Sequence, residues 1–182
     1  STGSDSEGNE NGVDYLMAER AIKGLHILDN SSADMPITII MNNIGGDVTH
    51  GMAIYDAIRN CRNHVTIKVY GHAMSMGAII LQAADERLMS ANSVMMLHYG
   101  TDSISGHKKN VERWVEWGKR MDEWDERMFL SKIKEVKPRF TLDQVKRLLE
   151  FDKILSAGEA LELGLIDGII TDTGEIKKRE TK

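Results

Sequence analysis

The run GHAMSMGA, Gly71–Ala78, sets one serine between two methionines and holds no charge. Ser75 follows a strand-like stretch ending at Tyr70 by a short turn and opens a helical pattern. At such a junction a side chain is displayed and the next backbone N–H groups, that of Met76 first, lack partners. Acyl transfer needs a hydroxyl of this kind, a neutral base to take its proton, a carboxylate to orient the base, and backbone donors for the oxyanion. Small residues at a strand-to-helix junction serve close packing equally well, so Ser75 by itself decides nothing. The run also departs from the G-x-S-x-G elbow, because Ala73 stands at the first glycine position.

His98 closes the apolar stretch SVMML. In a parallel sheet the ends of successive strands share one edge, so the turn after Tyr70 and the residues after Leu97 come together there. A histidine at that point is either a satisfied polar group or a base. His72 is too near Ser75 along one turn to approach it as a base, and His26, His50, His64 and His107 sit in or beside other elements. The loop IGGDV, Ile44–Val48, puts two adjacent glycines after a buried strand, where backbone can approach a ligand closely. A tight turn explains those glycines too; together with Met76, a glycine N–H would complete a two-sided oxyanion hole. Gly45, Asp47 and Val48 are the candidate substrate-binding positions. Two acids compete to orient the base, Asp152 before Ile154 and Leu155, and Asp167 in LIDGII. Spacing does not choose between them.

The elements that must position these residues read as an α/β fold. Val13, Leu16, Met17, Ala21, Leu25 and Leu28 recur at helical intervals. Pro36–Met41 is a continuous apolar run, expected as a strand covered on both sides. A helix near Thr49–Arg62, a strand at His64–Tyr70, a helix from Ser75 to Ala84 and strands at ERLMS and SVMMLHY come next. Strands separated by helices imply parallel βαβ units. Past Tyr99 comes a long helical run, His107 to Val136, which Pro138 ends. Its stripe of Val111, Trp114, Trp117, Met121, Trp124 and Met128 includes all three tryptophans of the chain and suits either internal packing or a subunit interface. Thr141 with Gln144, and Ser156 with Glu159, are capping-box signatures for two further helices. LIDGII closes as a strand.

Composition sets bounds. With 182 residues, 41% hydrophobic and 28% charged, the chain suits one compact domain. The expected division is a disordered polar leader over residues 1–12, a single domain over 13–172, and a charged, solvated tail over 173–182. A net charge of −5, with no basic face interleaved with aromatics, argues against nucleic acid as a partner. No apolar stretch approaches the roughly 20 residues of a membrane helix. Cys61 is the sole cysteine, so no disulfide forms within a chain and a cytoplasmic, reducing setting is expected. The spacings of common metal sites do not occur, and neither metal nor cofactor is expected.

Four stretches in order, IGGDVTHGMAIYDAI, GHAMSMGAIIL, NSVMMLHYG and DKILSAGEALELGLIDGII, resemble the proteolytic subunit of the Clp protease family over roughly residues 37–170. The resemblance implies a crotonase-like spiral of ββα units with a long projecting handle helix and serine endopeptidase activity. It also implies heptameric rings stacked face to face, with peptide or unfolded protein as substrate. ATP would enter only through a partner AAA+ unfoldase. By motif, Ser75 matches the nucleophile, His98 the base, and Asp152 the orienting acid, since D-K-I-L-S parallels the family's D-R-F-L-S. Gly46 and Met76 match the backbone donors of the oxyanion hole. The chain departs from the family pattern in YGTDSISG after His98 and in Phe151, which stands where a basic residue is usual. The competing readings are a crotonase-type acyl-CoA hydratase or isomerase and a non-catalytic ring subunit.

Overall fold

A computed structural model describes residues 12–31, 34–101 and 103–179. The expected leader lies, apart from Gly12, outside the described residues. Among the described residues thirteen elements run in order: α1 (Tyr15–Ser31), β1 (Ile37–Asn43), α2 (Val48–Arg59), β2 (Val65–Met74), α3 (Met76–Leu81), β3 (Glu86–Ser90), β4 (Val94–Leu97), α4 (Lys108–Lys134), α5 (Leu142–Leu149), β5 (Lys153–Ser156), α6 (Ala157–Leu163), β6 (Gly168–Ile170) and β7 (Ile176–Lys178).

The strands form one seven-stranded sheet in the order β5-β4-β2-β3-β6-β7, with β1 beside β2. β2 organises it. Along one edge it pairs with β1; along the other it pairs with β3 through Thr66–Val69, then with β4 through His72–Met74. The sheet therefore curls, with β4 and β3 leaving the same long strand at successive levels. All of these pairs are parallel, as βαβ connections require, whereas β4–β5 and β6–β7 are antiparallel. Ile67, Leu81, Leu88, Met95, Leu97 and Leu155 are almost fully removed from solvent, and every residue of α3 is buried. Both expected capping boxes form, at Thr141–Gln144 and at Ser156–Glu159.

Four features differ from the sequence reading. Val13 is not helical but forms an isolated parallel bridge with Gly46, because Asp14 accepts the Met17 N–H at 2.7 Å and starts the helix after it. β1 is not covered on both sides: Ile40 is 65% exposed, so an unbroken apolar run did not mean two packed faces. β5 is not legible in the sequence, since four residues give too short a pattern to read. The tail also contributes structure, because Ile176–Lys178 pairs with β6. Its three side chains are exposed; backbone bonds to a neighbouring strand, rather than apolar burial, hold it.

α4 is one helix in two environments. Its first turns are exposed, with Trp114 at 60% and Trp117 at 52%. From Met121 onward the same stripe packs on the body, where Trp124 meets Tyr55 edge-on at 5.2 Å and Met128, Phe129 and Ile133 join the core. The expected stripe is thus half core and half open surface.

Candidate active site

Ser75 sits between β2 and α3, and both elements claim its backbone. Its N–H donates to the Met96 carbonyl at 2.8 Å, continuing the β2–β4 ladder, while its own carbonyl accepts the Ala78 N–H at 2.9 Å. Serving sheet and helix together forces φ 51° and ψ −123°. Such a backbone in a residue bearing a Cβ costs on the order of 1–3 kcal/mol. A serine at a helix N-cap ordinarily turns its oxygen to a backbone N–H of the first turn. Ser75 makes no such cap bond. Its Oγ lies instead 2.8 Å from His98 Nε2.

His98 reaches that point because β4 ends one residue earlier, at the sheet edge where β2 also ends. Asp152 arrives by strand register. Leu97 is opposite Lys153 in the antiparallel β4–β5 pair, so the next residue along one strand faces the one before on the other: His98 faces Asp152. His98 Nδ1 is 3.3 Å from Asp152 Oδ1. The imidazole is mostly covered, at 21% exposure, while the carboxylate is 71% exposed. Asp167 lies elsewhere, at the far end of α3, where its oxygens accept from Arg87 Nη2 at 2.7 Å and Nε at 2.9 Å. Burial disfavours its charge, and the bonds and charge of Arg87 outweigh burial, holding the carboxyl below its ordinary range.

The IGGDV loop lies against Ser75. A Cβ on Gly45 would stand 2.6 Å from Ser75 Cβ, and Gly45 has φ 103°, so only glycine fits. Gly46, at φ 137°, is pressed onto the Val13 backbone. Val13 donates its N–H to the Gly45 carbonyl at 2.6 Å and accepts the Asp47 N–H at 2.8 Å. In a parallel bridge those two bonds come from the residues flanking Gly46, so the Gly46 N–H and carbonyl point away from Val13. The Gly45 N–H is taken by Asn43 Oδ1 at 2.7 Å.

Asp47 caps α2 by accepting the His50 N–H at 2.8 Å. Of the expected substrate-binding positions, Gly45 and Asp47 therefore have their backbone N–H groups already engaged, while Val48, 41% exposed, opens α2. Met76, as first residue of α3, has no helical acceptor for its N–H. Two residues behind this loop escaped the sequence reading. Asn43 carried a legible signal, since an asparagine two residues before a glycine favours an Asx turn. Val13 had none, its spacing fitting a helix.

The structure thus brings Ser75, His98 and Asp152 into one chain of contacts and sets the Gly45–Gly46 backbone beside the serine. The fold is that of a mixed α/β protein with a curled sheet, and at a sheet edge it sets a strained serine, a histidine and an exposed aspartate in contact. The Clp protease family model matches residues 9–173. The ATP-dependent Clp protease proteolytic subunit 2 of Pseudomonas aeruginosa is 35% identical over 167 residues, 91% of this chain and 80% of its own length. The ATP-dependent Clp protease proteolytic subunit of Deinococcus radiodurans is 32% identical over 165 residues, 90% of this chain and 78% of its own length. The chloroplastic subunit 3 of Arabidopsis thaliana is 32% identical over 88% of this chain and 51% of its own. The chain belongs to the Clp protease family.

Proposed function

We propose that this Clp-type peptidase is a serine endopeptidase acting on peptides and unfolded chains. Ser75 Oγ attacks the scissile carbonyl as His98 Nε2 takes its proton. Asp152, accepting from Nδ1, keeps the imidazole in the tautomer whose Nε2 is free and stabilises the imidazolium. The oxyanion is received by the N–H groups of Gly46 and Met76. His98 then passes the proton to the leaving amine, and water repeats the sequence on the acyl-enzyme. Val48 and the face of the Gly45–Asp47 loop line the substrate.

The observation that carries this reading is the 2.8 Å contact between Ser75 Oγ and His98 Nε2, made by a serine whose side chain makes no cap bond. An acyl-CoA hydratase could use the same backbone donors but would have no use for that contact. A fluorophosphonate probe should label the protein, and Ser75→Ala should abolish the labelling. Labelling that survives in the variant removes the assignment.

The open half of α4 supports assembly. Trp114 and Trp117 present a wide apolar surface on an otherwise charged helix, the composition of an interface core. We take this surface as the contact that builds heptameric rings stacked face to face, with the sites inside. An AAA+ unfoldase would bring the ATP requirement, and the cytoplasm is the proposed setting. Among the described residues no helix is long and apolar enough to cross a membrane. Sedimentation should give a large homo-oligomer that Trp117→Ala weakens; a monomer at micromolar concentration overturns the chamber.

A further inference from the structure

His98 lies just beyond the last hydrogen-bonded residue of β4, and the chain after it lends little support. The described residues from Gly100 to His107 form neither helix nor strand. Motion in that stretch would reach the imidazole directly. Between the two stands Tyr99, and it is tied at both ends. Its N–H donates to the Leu149 carbonyl at 2.8 Å, at the end of α5. Its hydroxyl donates to Glu126 Oε1 of α4 at 2.6 Å. Glu126 is a buried acid, its side chain 9% exposed, and Lys146 of α5 stands 3.7 Å from its second oxygen. A short bond to a charged acceptor is among the stronger kinds of hydrogen bond. Burial and the adjacent Glu126 charge push the tyrosine hydroxyl well above its ordinary range, so it stays a donor.

The two ties lead to the same frame. Leu149 ends α5, and the chain from there runs straight to Asp152, so one bond fixes the segment after the base to the segment before the acid. The other reaches across to α4, whose base is docked on the core. We propose that Tyr99 is a positioning residue, clamped between Glu126 and Leu149 so that His98 stays turned toward Ser75 and Asp152. The inference rests on the serine-peptidase reading. The simpler role, a tyrosine that merely satisfies a buried carboxylate, predicts a loss of stability with no dependence on His98.

A double-mutant cycle on hydrolysis of a fluorogenic peptide separates the two, with thermal unfolding followed in parallel. Tyr99→Phe keeps the ring and deletes the donor; kcat should fall roughly ten- to hundred-fold with KM little changed, the scale of a small misplacement of a reacting group. Glu126→Gln, which keeps an acceptor, should lose less, and Glu126→Met, which fills the volume without one, should match Tyr99→Phe by a second route. In a His98→Ala background, Tyr99→Phe should cost nothing more. Undiminished kcat in both Tyr99→Phe and Glu126→Met, or the same fold-loss with and without His98, overturns the clamp while the peptidase reading stands. A wild type that no fluorophosphonate labels overturns that reading, and the clamp with it.

Discussion

The two ends of α3 each hold a polar cluster that includes an aspartate, in opposite conditions. At the N-terminal end Ser75 is strained, its oxygen free of cap duty, and its line of contacts runs outward through His98 to an Asp152 that is 71% exposed. At the C-terminal end Gln82, fully buried, donates to the carbonyls of Ala78 and Leu165 and accepts Arg87 Nη1 at 2.7 Å, while the other nitrogens of Arg87 grip Asp167. Each side chain there is hydrogen-bonded to another, and Asp167, though 30% exposed, is held by Arg87. Besides its residue types, the reactive arrangement differs from the structural one in what remains unspent: a strained backbone, an oxygen free of cap duty, an acid mostly open to solvent.

Substitutions at the two ends should therefore separate cleanly. Ser75→Ala should lower peptide hydrolysis by a factor on the order of 10⁴ to 10⁶ while leaving the unfolding midpoint unharmed; a large loss of stability would make Ser75 a packing residue after all. Asp152→Asn should cost about 10³ to 10⁴ in kcat by permitting the wrong imidazole tautomer, again with an intact fold by circular dichroism. Arg87→Ala inverts the pattern. It strands Asp167 and Gln82, and urea unfolding should show a loss of about 3 kcal/mol, as for a broken buried pair, with the catalytic rate of the folded fraction retained.

Acid should act at the structural end. The carboxyl of Asp167 lies below its ordinary value of 3.8, so its contribution is complete above about pH 4 and is lost as pH falls through the folded value. In Asp167→Asn, urea midpoints followed down through that range should show a weaker acid dependence than wild type. The smallest effect belongs to Ser75→Gly, which relieves φ 51° and should stabilise the inactive protein by about 1 kcal/mol. Unchanged stability there would mean that the turn carries no strain.

Much of this was legible in the chain itself. Both capping boxes were, because a cap is written within four residues. The junction at Ser75 was visible as a place, though its chemistry was not, since close packing predicts the same small residues. Spacing carried no signal to choose between Asp152 and Asp167; only the likeness of D-K-I-L-S to the family's D-R-F-L-S favoured Asp152. Pairing of β4 with a four-residue strand more than fifty positions away sets Asp152 opposite His98, and Arg87 claims Asp167. Val13 and Ile40 misled for a related reason: periodicity reports which residues are apolar, and not whether a neighbouring segment arrives to cover or pair with them.

The division of α4 gives the molecule its own optical reporter. Trp114 and Trp117 lie in water, whereas Trp124 is held against Tyr55. Steady-state emission should therefore contain two populations, one red-shifted and open to quenching by iodide, the other blue-shifted and protected. Whatever covers the outer turns of the helix would move the first and leave the second alone, so association and unfolding can be told apart by colour in an unlabelled sample.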